Sequence, residues 1–443
     1  SGNPLWSPRF GFNYDVRGDG ETVVRGGVGI FSGRPPYVWV SNALVNTGLE
    51  QLTLVCAGAA TPAFNINPDQ APTSCVGGAQ PGASAATINY FTEDFRFQQA
   101  LKYSLGIDHK LAGGVVATLD FLRTEGRNQM YLTDDNVVEQ ATPNGEGRVM
   151  YGTPNTAGTA IVRATKTNNF RQVVRHENRN GDRSTQVTAQ LQKRFANGIE
   201  FSGGYTWSDV RDLYTLGSSI ATSNLHNPAL DGTLNERNLR TSAFEVPHRF
   251  FLSGTANLPF GLSASVIYNG QSGTPYAYIV QGDANGDGIS SNDLFYVPAN
   301  ANDISLPSAA AFDSLNLFIV GETCLSSQRG RIMERNSCRN PWQNFVNARL
   351  GKVIPTTGGQ KLELSADIFN LLNLLDSEWG IVRQTNTFEQ RNLVRLTGYD
   401  TRGTADTSDD RGRYSLLTPL PDRERAQIGS SRWRIQVGAK YIW

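Results

Sequence analysis

No stretch of this 443-residue chain stays apolar for the roughly 18–20 residues that a membrane-crossing helix needs. It also lacks an excess of charge: 40 Lys+Arg stand against 40 Asp+Glu, which argues against a nucleic-acid binder driven by bulk charge. Cysteine is scarce, with four residues and no Cys-x-x-Cys spacing, so a zinc site is not indicated. The four histidines, His109, His176, His226 and His248, are scattered, and neither His-Glu-x-x-His nor Gly-x-Ser-x-Gly occurs. No enzyme is therefore expected. The opening "SGNPLWSPRF" has neither a basic start nor an apolar core, so it is no signal peptide. The expectation is that a signal was removed or that the chain is part of something longer.

What the chain does have is a two-residue period. In "GIEFSGGYTW", Ile199, Phe201, Gly203, Tyr205 and Trp207 alternate with Glu200, Ser202, Gly204 and Thr206. Leu101, Tyr103, Leu105 and Ile107 alternate with Lys102, Ser104, Gly106 and Asp108. Leu362, Leu364, Ala366 and Ile368 alternate with Lys361, Glu363, Ser365 and Asp367, and Val437 alternates with Gln436 in the closing "WRIQVGAKYIW". Alternate side chains of a strand point to opposite faces, so each segment has one greasy and one wet face. Similar segments lie near 7–16, 21–31, 114–124, 184–195, 248–258, 261–272 and 342–354, which makes about eleven strands.

The connections alternate in length. Short ones are 15–21, 111–114, 196–198, 259–261 and 355–360; long ones are 32–96, 125–183, 209–247, 273–341 and 372–430. A soluble sandwich needs no such alternation. A transmembrane barrel has it, with short periplasmic turns and long extracellular loops. About eleven residues at ~3.3 Å rise and ~45° tilt span roughly 25 Å, the height of an outer-membrane apolar band. The expected fold is an all-β, transmembrane antiparallel β-barrel occupying residues 1–443, in the bacterial outer membrane. The first strand runs into a short turn and so begins outside, while the last follows a long loop and ends inside. A closed bacterial barrel has an even strand count with both ends inside. At least one more strand is therefore expected upstream.

"SPRFGFNYDVRGDGETVVRGGVGIFSGRPPYVW" (7–39), "GDANGDGISSNDLFYVP" (282–298), "DIFNLLNLLDSEWG" (367–380) and the final "VGAKYIW" together resemble the barrel of an Oar-like TonB-dependent receptor. The resemblance implies a barrel of about twenty-two strands, an N-terminal plug in the lumen and a TonB-contacting box before the plug. This chain would then be the C-terminal portion of the barrel, and its partners would be outer-membrane lipid, the N-terminal barrel half and plug, TonB through that other part, and an extracellular ligand. The function implied is a ligand-gated, TonB-powered importer. The alternative is a non-coupled outer-membrane channel or a surface-binding barrel, and the sequence names no ligand.

Three stretches invite sharper readings. In "DANGDGISSND" (283–293), Asp283, Asn285, Asp287, the Ile289 carbonyl and Asp293 supply hard oxygen donors at alternating positions, with Gly288 at the sharp turn. This resembles the start of a calcium loop, although Leu294 stands where a closing carboxylate would be, and an ion-free Asx turn is the bland reading. Cys56 with Cys75, and Cys324 with Cys338, are close in sequence within small polar stretches and are expected as two loop disulfides in an oxidising compartment. Arg17–Asp19 spells "RGD" in an inner-side turn, where chance explains it. The mixed-charge stretch 400–414 reads as a solvated loop, and the wet-face charges Arg25, Lys102, Glu200, Arg349, Lys361 and Glu363 as salt-bridged pairs or plug contacts.

Overall fold

A computed structural model describes residues 3–33, 37–45, 47, 56–78, 86–384, 390–404, 406–422 and 425–443. Residues 34–36 of the 7–39 stretch and residue 405 of the 400–414 loop lie outside the described residues.

Eleven long strands form one antiparallel sheet. They are β1 (Arg9–Asp15), β2 (Thr22–Ser32), β3 (Gln99–Leu111), β4 (Val115–Arg127), β5 (Arg183–Arg194) and β6 (Ile199–Asp212). They continue with β7 (His248–Leu258), β8 (Leu262–Gln271), β9 (Gln343–Pro355), β10 (Lys361–Phe369) and β11 (Arg434–Ile442). Each pairs with the next in chain order, and a short strand, Arg240–Thr241, adds to the end of β6. Among the described residues β1 and β11 do not pair with each other, so the sheet has two free edges. The short connections are tight reversals: Gly113 at φ 75° turns β3 into β4, a left-handed conformation that glycine adopts without a Cβ penalty.

Register confirms the two faces. Tyr14, Val24, Ile107, Leu119, Ala189, Tyr205 and Phe250 lie side by side across seven strands. Phe201, Gly254, Val266, Ala348, Ile368 and Ile435 form a second such row. The neighbouring row on the other face reads Glu200, Thr255, Ser265, Arg349, Asp367 and Gln436. Apolar rows left open on a sheet, with Val437 78% and Leu350 55% exposed, suit a hydrocarbon solvent. Several of the expected polar-face charges are paired: Arg25 reaches Asp120 at 2.8 Å and Asp108 at 3.0 Å, Arg194 reaches Glu200 at 2.7 Å, and Arg349 reaches Asp367 at 3.3 Å, whereas Lys102 lies over the Phe31 ring. Leu101 shares the apolar parity but differs from its row-mates in being 8% exposed. Its row continues as Glu125, Arg183 and Arg211, a charged rim beyond the apolar band.

The long connections are not open coil. They build a second layer with its own cores. Strand Phe170–Arg179 pairs in parallel with Ala86–Phe91 and antiparallel with Gln129–Asp134. Strand Pro275–Gln281 pairs in parallel with Gln390–Asp400, which turns back into Arg411–Leu416. The largest fully buried side chains, among them Tyr131, Tyr151, Tyr276, Tyr278, Phe295, Tyr399 and Tyr414, all lie in this layer. Helix α1 (Ala309–Gly321) is capped by the Ser308 hydroxyl, which accepts from the Ala311 amide at 3.2 Å, and it sinks Leu315 and Ile319 into one of the cores. Disulfides join Cys56 to Cys75 and Cys324 to Cys338, with Cα atoms 5.6 and 5.1 Å apart.

Candidate functional site

Two features of the loop layer stand out. The first is a buried polar knot around residues 283–293. The tight turn is locally encoded: Asp283 accepts from the Gly286 and Gly288 amides at 2.7 and 2.8 Å, Asn285 from the Asp287 amide at 2.8 Å, and Asp287 from the Ile289 amide at 2.7 Å. These are side chain–backbone bonds of the Asx type, which hold a turn without a helix. No helix flanks the loop; strands 275–281 and 296–297 do.

Burial makes this turn unusual. Asn285, Asp287, Ile289, Asn292 and Asp293 are all 2% exposed or less. Asp293 accepts from the Ala284 amide at 2.7 Å and from the Arg148 guanidinium at 3.2 Å. Arg148 lies close to Glu146 as well, at 3.5 Å, and Glu146 accepts from the Tyr414 hydroxyl and the Gly412 amide. The Tyr399 hydroxyl donates to the Asp283 carbonyl at 3.0 Å. Burial pushes the Asp287 carboxyl up to about 8, with Asp293 and Asp283 adding repulsion. Asp293 is pushed up to about 6 by burial, against the pull of Arg148. Asp283 is raised by burial too, opposed by the Gly288 and Gly286 amides. A cavity of about 280 Å³ borders Asn285, Asp293 and Arg148 on one side and Asp231 and Arg240 on the other.

The second feature is a cleft of about 740 Å³ between the loop layer and the ends of β3 to β6. Its sheet side includes Thr124, Ser184 and Val210, which share a row with Lys102 on the polar face. Its loop side includes Trp39, Gln129, Tyr214 and Ser218. Asp182 lines it, pushed up to about 6 by burial while its carboxylate accepts the Leu213 amide. The cleft mixes polar, aromatic and apolar side chains and opens onto the polar face of the sheet.

The structure thus brings Asp283, Asn285, Asp287, Ile289 and Asp293 into one buried loop. Sequence reasoning missed Arg148, Glu146, Tyr399 and Tyr414, which come from other connections and carried no local signal. Asn292 had one, as the neighbour of Asp293.

The family described as an outer membrane beta barrel domain matches residues 2–378. No curated protein matches the sequence. Among solved structures, the outer membrane transporter YddB from Escherichia coli is similar over 98% of this chain and 40% of its own, at 11% identity and a TM-score of 0.49. A mutant of the ferric enterobactin receptor PfeA from Pseudomonas aeruginosa is similar over 93% of this chain and 38% of its own, at 11% identity and a TM-score of 0.41. The FrpB iron transporter from Neisseria meningitidis is similar over 98% and 38%, at 9% identity and a TM-score of 0.39. The chain spans about two-fifths of the length of these proteins.

Proposed function

Because the chain belongs to the outer membrane β-barrel domain family, and so resides in the outer membrane, we propose that its eleven strands are one arc of the barrel of a TonB-dependent, ligand-gated importer. The observation that carries this reading is the pairing of two free sheet edges with a built loop layer. In lipid each unsatisfied backbone group costs several kcal/mol, so edges such as those of β1 and β11 require further strands to close a cylinder. An arc this wide, completed by a comparable number of strands, encloses a lumen that needs a plug. The loop layer, with two cores and two disulfides, is a rigid capture surface rather than a solvated fringe. Ligand would settle first in the cleft over the polar face, and the plug would then yield to force transmitted by TonB.

The test uses the full-length receptor in proteoliposomes. The periplasmic domain of TonB is expected to bind it saturably, and liposome-swelling assays are expected to show no passive sugar flux. Absence of TonB binding together with passive flux would instead establish an uncoupled channel. Absence of both would leave a surface-binding barrel and overturn the importer reading.

A further inference from the structure

The lipid-facing parity does not stay apolar to the ends of the strands. Toward the long loops, one outward row reads Val28, Tyr103, Arg123, Thr185 and Asp209. The next reads Ile30, Leu101, Glu125, Arg183 and Arg211. The last reads Ser32, Gln99 and Arg127. Arginines therefore gather on the outward face just where the apolar band stops.

A groove of about 710 Å³ lies there, lined by Arg96, Arg123, Arg127 and Arg183 together with Trp6 and Ile30. Its two carboxylates are already engaged. Glu125 meets Arg123 at 3.4 Å, and Asp182 accepts the Leu213 amide at 2.9 Å. The exposed guanidiniums of Arg96, Arg127 and Arg183 have neither an ion pair nor a side-chain hydrogen bond among the described residues. Arg183 stands opposite Glu125, so it is diagonal to both Arg123 and Arg127, roughly 7–8 Å from each in ordinary sheet geometry. On a water-facing surface such cations are simply hydrated. On the outer rim of a membrane barrel they stand at the depth of the lipid headgroups.

We propose that this groove binds the phosphate-bearing headgroup of a lipid in the outer leaflet, with Arg127 and Arg183 clamping the phosphate and Arg96 and Arg123 flanking it. The guanidinium fork matches phosphate oxygens two at a time, and it sheds water more readily than an ammonium. The acyl chains of the same molecule have a continuous path. Ile30 at the groove leads down the outward face to Val28 and Tyr103, and then to Leu105 and Ile107. Trp6 is 80% exposed beside the groove, and its carbonyl accepts from the Gln99 side-chain amide at 3.0 Å. Indole rings favour that depth of a membrane, with an apolar body and a polar edge. A soluble anion bound for the lumen would find these arginines on the wrong face, opposite in parity to Lys102 and Ser184. Such binding needs the sheet to sit in the outer membrane, but it does not need the chain to import anything.

The experiment takes the intact protein in a neutral detergent and adds lipid A, a bisphosphorylated, acylated disaccharide. Native mass spectrometry measures the retained lipid, and hydrogen exchange of peptides covering 94–99, 125–130 and 180–185 locates it. Lipid A is expected to be retained and to slow exchange in all three peptides. The same lipid stripped of its phosphates is expected to bind at least tenfold more weakly, and inorganic phosphate alone to give no protection. Arg127→Gln combined with Arg183→Gln is expected to weaken binding at least tenfold. Arg17→Gln combined with Lys110→Gln removes the same charge from exposed positions at the inner turns and is expected to bind like wild type. No retention of lipid A, equal binding of the dephosphorylated lipid, or protection by inorganic phosphate alone would overturn the assignment. Equal binding by the two double variants, whether both retained or both lost, would overturn it as well. Label accessibility along β6 tests the membrane placement by itself, so the two can fail separately.

Discussion

His176 makes the loop layer sensitive to acid. It sits in the middle of the strand between Phe91 and Leu132, is 0% exposed, and packs its ring 4.5 Å from that of Phe91. One ring nitrogen meets the Asn89 amide oxygen at 3.2 Å, and the other has no partner. Burial alone lowers its pKa from the ordinary 6.5 to about 4. Between those values the unfolded layer binds a proton that the folded layer refuses. The contribution of His176 is therefore complete above pH 6.5 and is lost as pH falls through the window toward 4. Taking the layer from pH 7.5 to 5 should cost about 2 kcal/mol, which corresponds to roughly a 30-fold fall in protection. Hydrogen exchange of peptides covering 86–91, 129–134 and 170–179 in the intact protein, corrected for intrinsic rates, reads this directly. His176→Phe should flatten the pH dependence. Equal protection at both pH values in the wild type, or an unchanged slope in His176→Phe, would refute the reasoning.

Other outcomes follow from the same packing. Arg148→Met should destabilise the loop layer by about 3–5 kcal/mol, because Asp293 and Glu146 lose their shared cation; limited proteolysis and local exchange would report it. Replacing both Cys324 and Cys338 by Ala should cost about 3 kcal/mol, since their bridge closes a separation of 14 residues; thermal melting under non-reducing conditions would show the loss. Leu252→Arg should destabilise the membrane-inserted barrel by about 2–4 kcal/mol, whereas Ser253→Arg, on the polar face, should cost less than about 1 kcal/mol; denaturant unfolding in vesicles separates them. Gly158→Ala should detach the 152–163 hairpin from the 390–400 strand, because Gly158 sits at φ 63° with the Tyr399 carbonyl where a Cβ would go; a loss of at least ~1 kcal/mol should show as local exchange.

All eleven sheet strands were legible because each faces two solvents. Lipid on one side and a wet lumen on the other leave an alternation, as in Phe201 against Glu200 and Val437 against Gln436, broken at single positions such as Leu122 and Ile267 on the polar face. The loop layer was not legible for the opposite reason. Pro275–Gln281 is buried along nearly its whole length, so its side chains need not alternate. Its partner, Gln390–Asp400, is more than a hundred residues away and pairs in parallel, which no local turn announces. The knot was half legible. Asp283, Asn285 and Asp287 sit at a readable spacing, but Arg148, 145 residues from Asp293, meets it only through the tertiary fold.

The central claim is that one face of this sheet meets lipid and the other a wet lumen. Nitroxide labels placed singly from position 200 to 207 along β6, in the protein reconstituted in bilayers, test it most directly. Oxygen accessibility should peak at 201, 203, 205 and 207, and accessibility to a polar relaxation reagent at 200, 202, 204 and 206. The reverse alternation, or none, would contradict it.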